Sequence, residues 1–197
     1  MIQKHKATAT RKIALTAILA AVAVALSPFA SFDLGFAKPN PVQHMVNAIA
    51  GVLLGPWYAV LIAVIVGFVR NILHVGSPLA FPGGVFGGLV VGLVHQYVLR
   101  KDYAILCVEA EGPPTLHPVF RFVLRRDYAA FFEPMGTGPI GATLSAYIVG
   151  PWAYQAGLLT SLGTLQVLMT SFLASSIMGS VLGFVILKVV HRTGLWA

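Results

Sequence analysis

Asn40, Gln43, His44 and Asn47 recur at i, i+3, i+4 and i+7 inside an otherwise apolar stretch. On an α-helix that spacing puts all four on one face. Amides and an imidazole supply hydrogen-bond donors and acceptors without a fixed charge. That chemistry suits holding a small molecule better than breaking a bond. Arg70, Asn71 and His74 close a later apolar run, and Tyr147, Trp152, Tyr154, Gln155 and Gln166 mark two more. Phe81-Pro82-Gly83-Gly84 reads as a helix break, which is tolerated at membrane depth where it lines a cavity. Asn40, Gln43, His44, Asn47, Arg70, Asn71, Phe81, Tyr147 and Trp152 are therefore the candidate lining of one pocket mixing aromatic and hydrogen-bonding groups. Plainer readings stand beside this one. His44, Asn47 and Asn71 serve equally as bridges between helices, Gln43 as an interfacial residue, Arg70 as a snorkelling cation and Trp152 as an aromatic belt residue.

The elements that position these residues follow from composition. Of 197 residues, 57% are hydrophobic and 10% charged, against about 25% charged in ordinary soluble domains. The expected class is an all-α integral membrane protein, a compact bundle of six transmembrane helices forming a single domain over 1–197. The six apolar segments run over about 12–31, 42–54, 57–73, 83–99, 138–156 and 162–190. The first follows a basic start without a small-residue cleavage site and reads as a retained helix. All of the 13 Lys and Arg except Lys38 and Arg70 fall at one set of segment ends. The positive-inside rule then puts both termini in the cytoplasm and the Asn40 to Asn47 face outside. The net charge of +7 forms no stripe with interleaved aromatics, so nucleic acid is not an expected partner.

The internal connection holds a repeat, Val98-Leu-Arg-Lys-Asp-Tyr-Ala104 and Val123-Leu-Arg-Arg-Asp-Tyr-Ala129. It reads as a cytoplasmic inserted loop at about 101–135. Stripes of small residues at spacing four mark five segments: Ala17, Ala21, Ala25; Asn47, Gly51, Gly55; Gly84, Gly88, Gly92; Gly138, Ala142, Ala146, Gly150; and Ser171, Ser175, Gly179, Gly183. Lipid gives helices no hydrophobic reason to associate, so close backbone approach has to supply the packing. Most stripes read as packing within the bundle. The alanine face of the first segment reads also as a docking surface for another membrane protein.

Several chemistries lack their residues. There is no phosphate-cradling Gly-rich loop with Lys, no Gly-x-Ser-x-Gly around Ser180 and no His-Glu-x-x-His. No cofactor and no metal are expected; His44 with His74 is the single plausible close pair of histidines. Asp33 and Glu133 both read as lying at segment ends, which leaves no buried carboxylate for ion coupling. An enzyme is not expected.

Three stretches carry a resemblance: Pro41-Val-Gln-His-Met-Val-Asn-Ala-Ile-Ala-Gly-Val-Leu-Leu-Gly-Pro-Trp-Tyr58, Arg70-Asn71 with Ala80-Phe-Pro-Gly-Gly84, and Gly136-Thr-Gly-Pro-Ile-Gly141. In these the chain resembles the substrate-binding S components of energy-coupling factor vitamin transporters, nearest to the ThiW type associated with the thiazole precursor of thiamine. The resemblance implies a six-helix subunit of a prokaryotic cell membrane that binds its vitamin or precursor from outside. It implies partnership with a transmembrane T component and two cytoplasmic ATPases. The Ala17-x-x-x-Ala21 face, extended by Ala25, would be the docking surface, and the loop 32–40 a lid. The implied ligand is hydroxyethylthiazole, with Asn47, Gln43 and His44 binding its hydroxyl and ring nitrogen, and Phe32, Phe81, Tyr147 or Trp152 as walls. The absence of buried acids would disfavour cationic thiamine. An S component for another small vitamin, and a structural membrane partner without a ligand, remain alternatives.

Overall fold

A computed structural model describes residues 9–35, 37–99 and 126–193. Among these, six helical segments follow one another: α1 Ala9–Ala30, α2 Pro41–Leu53, α3 Pro56–Ile72, α4 Ala80–Val98, α5 over 126–155 and α6 Leu165–Arg192. Three of them, α1, α4 and α6, are long and apolar enough to cross a membrane, and α3 is a shorter apolar helix. No strand occurs among the described residues.

α2 is the axis of the bundle. Its 13 residues rise only about 20 Å, less than the roughly 30 Å hydrocarbon layer. A helix that short avoids lipid by being enclosed. It packs against α6, α4, α3 and α1, and eleven of its residues are buried. Its start is fixed by Asn40, whose Oδ1 accepts the backbone N–H of Val42 at 2.8 Å and of Gln43 at 3.3 Å. Pro41 occupies the first turn, where its missing N–H costs nothing. At the other end Gly55 takes φ +96, a conformation open to glycine, and Pro56 starts α3 directly.

The small-residue stripes are used inside the bundle. A Cβ added to Gly179 would strike the Pro41 carbonyl and His44, and one on Gly51 would lie 2.6 Å from Val91 Cγ1. These glycines let α6 and α4 approach α2 closely enough for backbone contact. α1 differs. Its buried face is Thr16, Ala20, Ala23 and Ser27, while Ala17, Ala21 and Ala25 point outward.

Two boundaries depart from the sequence reading. α4 begins at Ala80 and contains Phe81-Pro82-Gly83-Gly84 in its first turns, so the expected break is absent. α5 begins at Arg126 rather than Gly138 and is irregular up to Val149, with a regular last stretch Gly150–Gln155. A tight 3-10 stretch, Arg126–Phe132, leads into a short α turn, Glu133–Met135, and a wide π stretch, Gly136–Ala142, that contains Pro139. Widening the turn accommodates a proline that cannot donate to the regular ladder. The repeat and the inserted loop, except for Val98, Leu99 and 126–135, fall outside the described residues; residues 126–135 are helical.

The apolar core is in two parts. The larger gathers Val46, Ile49, Val52, Ile62, Val66, Val91 and Leu187 around the later half of α2. The smaller holds Ala37, Leu79, Ala142, Leu168 and Phe172. Basic residues Lys12, Lys188 and Arg192 lie at the end holding the start of α1 and the end of α6, with Lys12 Nζ 5.5 Å from the Tyr58 ring centre and Lys188 Nζ 5.2 Å from that of Phe184. Lys38 and Arg70 lie at the opposite end.

Candidate functional site

Buried polar side chains collect around the first turns of α2. Arg70, in the last turn of α3, is 1% exposed, so it does not snorkel. Its Nη1 donates to Gln43 Oε1. Its Nη2 is placed to donate to Ser31 Oγ at 3.0 Å, the Lys38 carbonyl at 3.0 Å and the Val75 carbonyl at 3.1 Å. One guanidinium thus ties the loop 32–40 and the α3–α4 loop to α2. The long planar fork of arginine permits this; a lysine has one donor atom to offer.

The second group is centred on Glu133, which is fully buried. His44 Nδ1 lies 2.7 Å from Glu133 Oε1. With the acid ionised, Nδ1–H is the donor in this pair. Thr137 Oγ1, one turn along α5, is 2.7 Å from the same oxygen and 3.0 Å from the Gly83 carbonyl. A Cβ on Gly87 would run into this carboxylate and hydroxyl. The seventh residue of α4 after Ala80 is roughly 10 Å down the helix, so Glu133 is well inside the bundle. Its sequence placement at a segment end is corrected, and with it the expectation that no acid is buried. Pro134 and Gly136 fall before the expected start of the fifth segment at 138; the 3-10, α and π turns carry the helix through them. The signal that could have found Glu133 is its setting, an acid after Phe131-Phe132 with Thr137 four residues on.

The remaining candidates divide. Asn40 is largely a fastener: besides capping α2, its Nδ2 donates to Ser27 Oγ at 2.8 Å and Ser31 Oγ at 3.2 Å. Asn47 Nδ2 donates to the Gly84 carbonyl at 3.0 Å, bridging α2 to α4. Asn71 is half-buried and donates to the Gly67 carbonyl of its own helix at 2.8 Å. Six buried polar side-chain atoms find no hydrogen-bond partner among the described residues: Gln43 Nε2, Asn47 Oδ1, Arg70 Nε and Glu133 Oε2 in this cluster, and Ser175 Oγ and Ser180 Oγ on α6. Unpaired buried polar atoms are uncommon and call for a reason.

Two spaces adjoin this cluster. A void of about 10 Å³ is lined by Asn40, Gln43, His44, Arg70, Gly83 and Phe172, among others, and is about the size of one water. Above it an outer vestibule of about 620 Å³ is bounded by Asn71, His74, Phe81, Trp152, Leu158 and others, within the range of small-molecule sites. Lys38 and Ser77 border both spaces and form the partition between them. The partition is fastened from both sides. Lys38 Nζ donates to the His74 carbonyl at 3.0 Å and meets Asp33 Oδ2 at 3.2 Å, while Arg70 holds the Lys38 carbonyl from below.

Of the expected aromatic walls, Phe81 and Trp152 border the vestibule, whereas Tyr147 is 67% and Phe32 55% exposed and neither lines either space. The aromatic wall of the inner void is Phe172 of α6, which sequence reading missed because it lies in a uniformly apolar run. His44 and His74 do not pair: His44 is engaged by Glu133, and His74 borders the vestibule. No group of three metal-ligating side chains occurs among the described residues.

No curated protein and no solved structure matches the chain. The family model described as thiamine-precursor transporter protein (ThiW) matches residues 13–117 and 116–193. A match over nearly the whole length, on a helical bundle with membrane-spanning segments and a buried polar site, settles the class: the chain is a multi-pass membrane protein and a transporter, not an enzyme, and it belongs to the ThiW thiamine-precursor transporter family, a family of energy-coupling factor S components.

Proposed function

We propose that this protein captures hydroxyethylthiazole from outside the cell and presents it for ATP-driven uptake by partner subunits. The observation that carries the reading is the polar layer of Gln43, His44, Arg70 and Glu133, buried beneath an outer vestibule in an otherwise apolar bundle. Polar groups at membrane depth are costly and mark substrate sites. The ligand enters by the vestibule and passes the Lys38–Ser77 partition, and the inner void widens to hold it against Phe172. The basic end of the bundle faces the cytoplasm by the positive-inside rule, which orients the vestibule outward. The outward face Ala17, Ala21, Ala25 is a surface where a transmembrane T component can approach closely, and two ATPases would complete the machine. The buried Glu133 removes the reason drawn from sequence for excluding thiamine, so thiamine is the competing ligand.

Calorimetry on the purified protein with hydroxyethylthiazole, thiamine and the pyrimidine precursor tests the reading. Hydroxyethylthiazole binds tightest; tighter binding of either other compound sinks the assignment. Ala21→Leu should leave that binding intact and abolish uptake in cells carrying the partner subunits. Unimpaired uptake by this variant would remove the α1 face from the docking surface.

A further inference from the structure

Two of the unpaired buried atoms have opposite hydrogen-bonding sense. Gln43 Nε2 is a donor and Glu133 Oε2 an acceptor. The first lies against Gly84 and the Glu133 carboxyl against Gly87, three residues apart on α4 and so about 4.5 Å along its axis. Both orientations are set by bonds to the Oε1 atom of each group. Arg70 takes Gln43 Oε1, so the amide can offer only its N–H2. His44 and Thr137 both take Glu133 Oε1, which leaves Oε2 open. Phe172 and Gly83 both line the void beside Gln43. We propose that this pair reads the two ends of a neutral heteroaromatic alcohol. Gln43 Nε2 donates to the ring nitrogen, and Glu133 Oε2 accepts from the hydroxyl. Arg70 is the positioning residue that turns the Gln43 donor toward the ligand.

The inference rests on the thiazole reading and adds something it does not require. The free hydroxyl becomes the main specificity element, and its reader is an acid on α5. A site built around a hydrogen bond to a substrate hydroxyl rejects the analogue lacking it, because its own buried group is then left unpaired.

The experiment is calorimetry on the full-length protein with hydroxyethylthiazole and its deoxy analogue, an ethyl group replacing the hydroxyethyl. The unaltered protein should prefer the alcohol by about a hundredfold or more. In Glu133→Gln that ratio should fall at least about tenfold, since a neutral acceptor binds a hydroxyl less strongly than a carboxylate. Arg70→Lys should weaken both compounds by a common factor and keep their ratio. In a Gln43→Met background Arg70→Lys should cost much less, which a purely structural role for Arg70 does not produce. Thermal unfolding of each variant separates loss of fold from loss of recognition, and the ratio in the unaltered protein needs no variant. A deoxy analogue bound within threefold of the alcohol, or a full ratio retained in Glu133→Gln, overturns this inference and leaves the thiazole reading standing. Failure of the unaltered protein to bind the thiazole overturns both.

Discussion

The two halves of α2 are equally buried and do different work. From Ile49 onward its residues are apolar and pack into the larger core cluster. From Asn40 to Asn47 every fourth or third residue is polar, and each is engaged by a different neighbour: Ser27 and Ser31 by Asn40, Arg70 by Gln43, Glu133 by His44 and the Gly84 carbonyl by Asn47. In the later half, shape alone sets the contacts, and glycine permits them. In the first half, contacts are directional, and several atoms are left over. The contrast separates what holds the bundle together from what the bundle holds. A polar layer that served stability alone would have its donors and acceptors matched.

The largest effect should come from Arg70→Leu. It strips partners from Gln43 Oε1 and from the Lys38 and Val75 carbonyls at once, leaving buried acceptors unpaired at about 1–3 kcal/mol each where water cannot replace the bond. A net loss of about 2–4 kcal/mol and at least a hundredfold weaker ligand binding are expected, measured by thermal unfolding and calorimetry. Lost binding at unchanged stability would mean that the polar layer contributes nothing to the fold, and the comparison would break. Gly51→Val probes the other half. Its added carbons meet Val91, and overpacking of this kind costs about 1–3 kcal/mol. Protein that remains folded should bind its ligand within threefold of the original affinity. A larger change would show the apolar half shaping the site.

The same contrast governs what could be read from sequence. The polar face of α2 was legible because its spacing is helical and its surroundings are apolar, and the segments near it were found to within a few residues. Arg70 was legible as an exception to the charge asymmetry, though its four acceptors lie on three different segments and no spacing encodes them. Glu133 was not legible as a buried group. Local rules read Pro134 and Gly136 as part of the connection before the fifth segment, and tertiary packing against Phe86, Gly87 and Leu173 keeps a distorted helix there instead. Phe172 was hidden for the opposite reason: in a run of apolar residues, nothing local distinguishes the one that faces a void.

A smaller effect is expected of His44→Leu. It leaves Glu133 Oε1 with Thr137 alone, at a cost of about 1–2 kcal/mol and about tenfold in affinity, because the carboxyl is held less firmly. Thr137→Val should fall below it on both measures, since His44 then still holds the carboxylate. Equal effects would mean that the imidazole adds no fixing of its own.

The smallest effect belongs to the rim, where water competes with every bond. Asp33 is exposed, and its carboxyl sits below the usual aspartate value because it accepts the Gly35 backbone N–H and, secondarily, pairs with Lys38. A lowered value means that the contact is fully present above the ordinary aspartate pKa of 3.8 and is lost as pH falls through the still lower folded value. The Asp33 contribution to ligand affinity in the unaltered protein should therefore be constant from neutral pH down to the ordinary carboxylate range and be lost below it. Asp33→Asn keeps an acceptor for Gly35 and removes the charge facing Lys38. It should shift affinity by less than about threefold, as expected for an exposed ion pair, and it should abolish this part of the acid dependence. The partition would then rest on Arg70 beneath the Lys38 carbonyl and on the His74 carbonyl at Lys38 Nζ. A large loss in Asp33→Asn at neutral pH would move the latch from the buried guanidinium to the exposed rim, and would place the closing of the site in solvent rather than in the polar layer of α2.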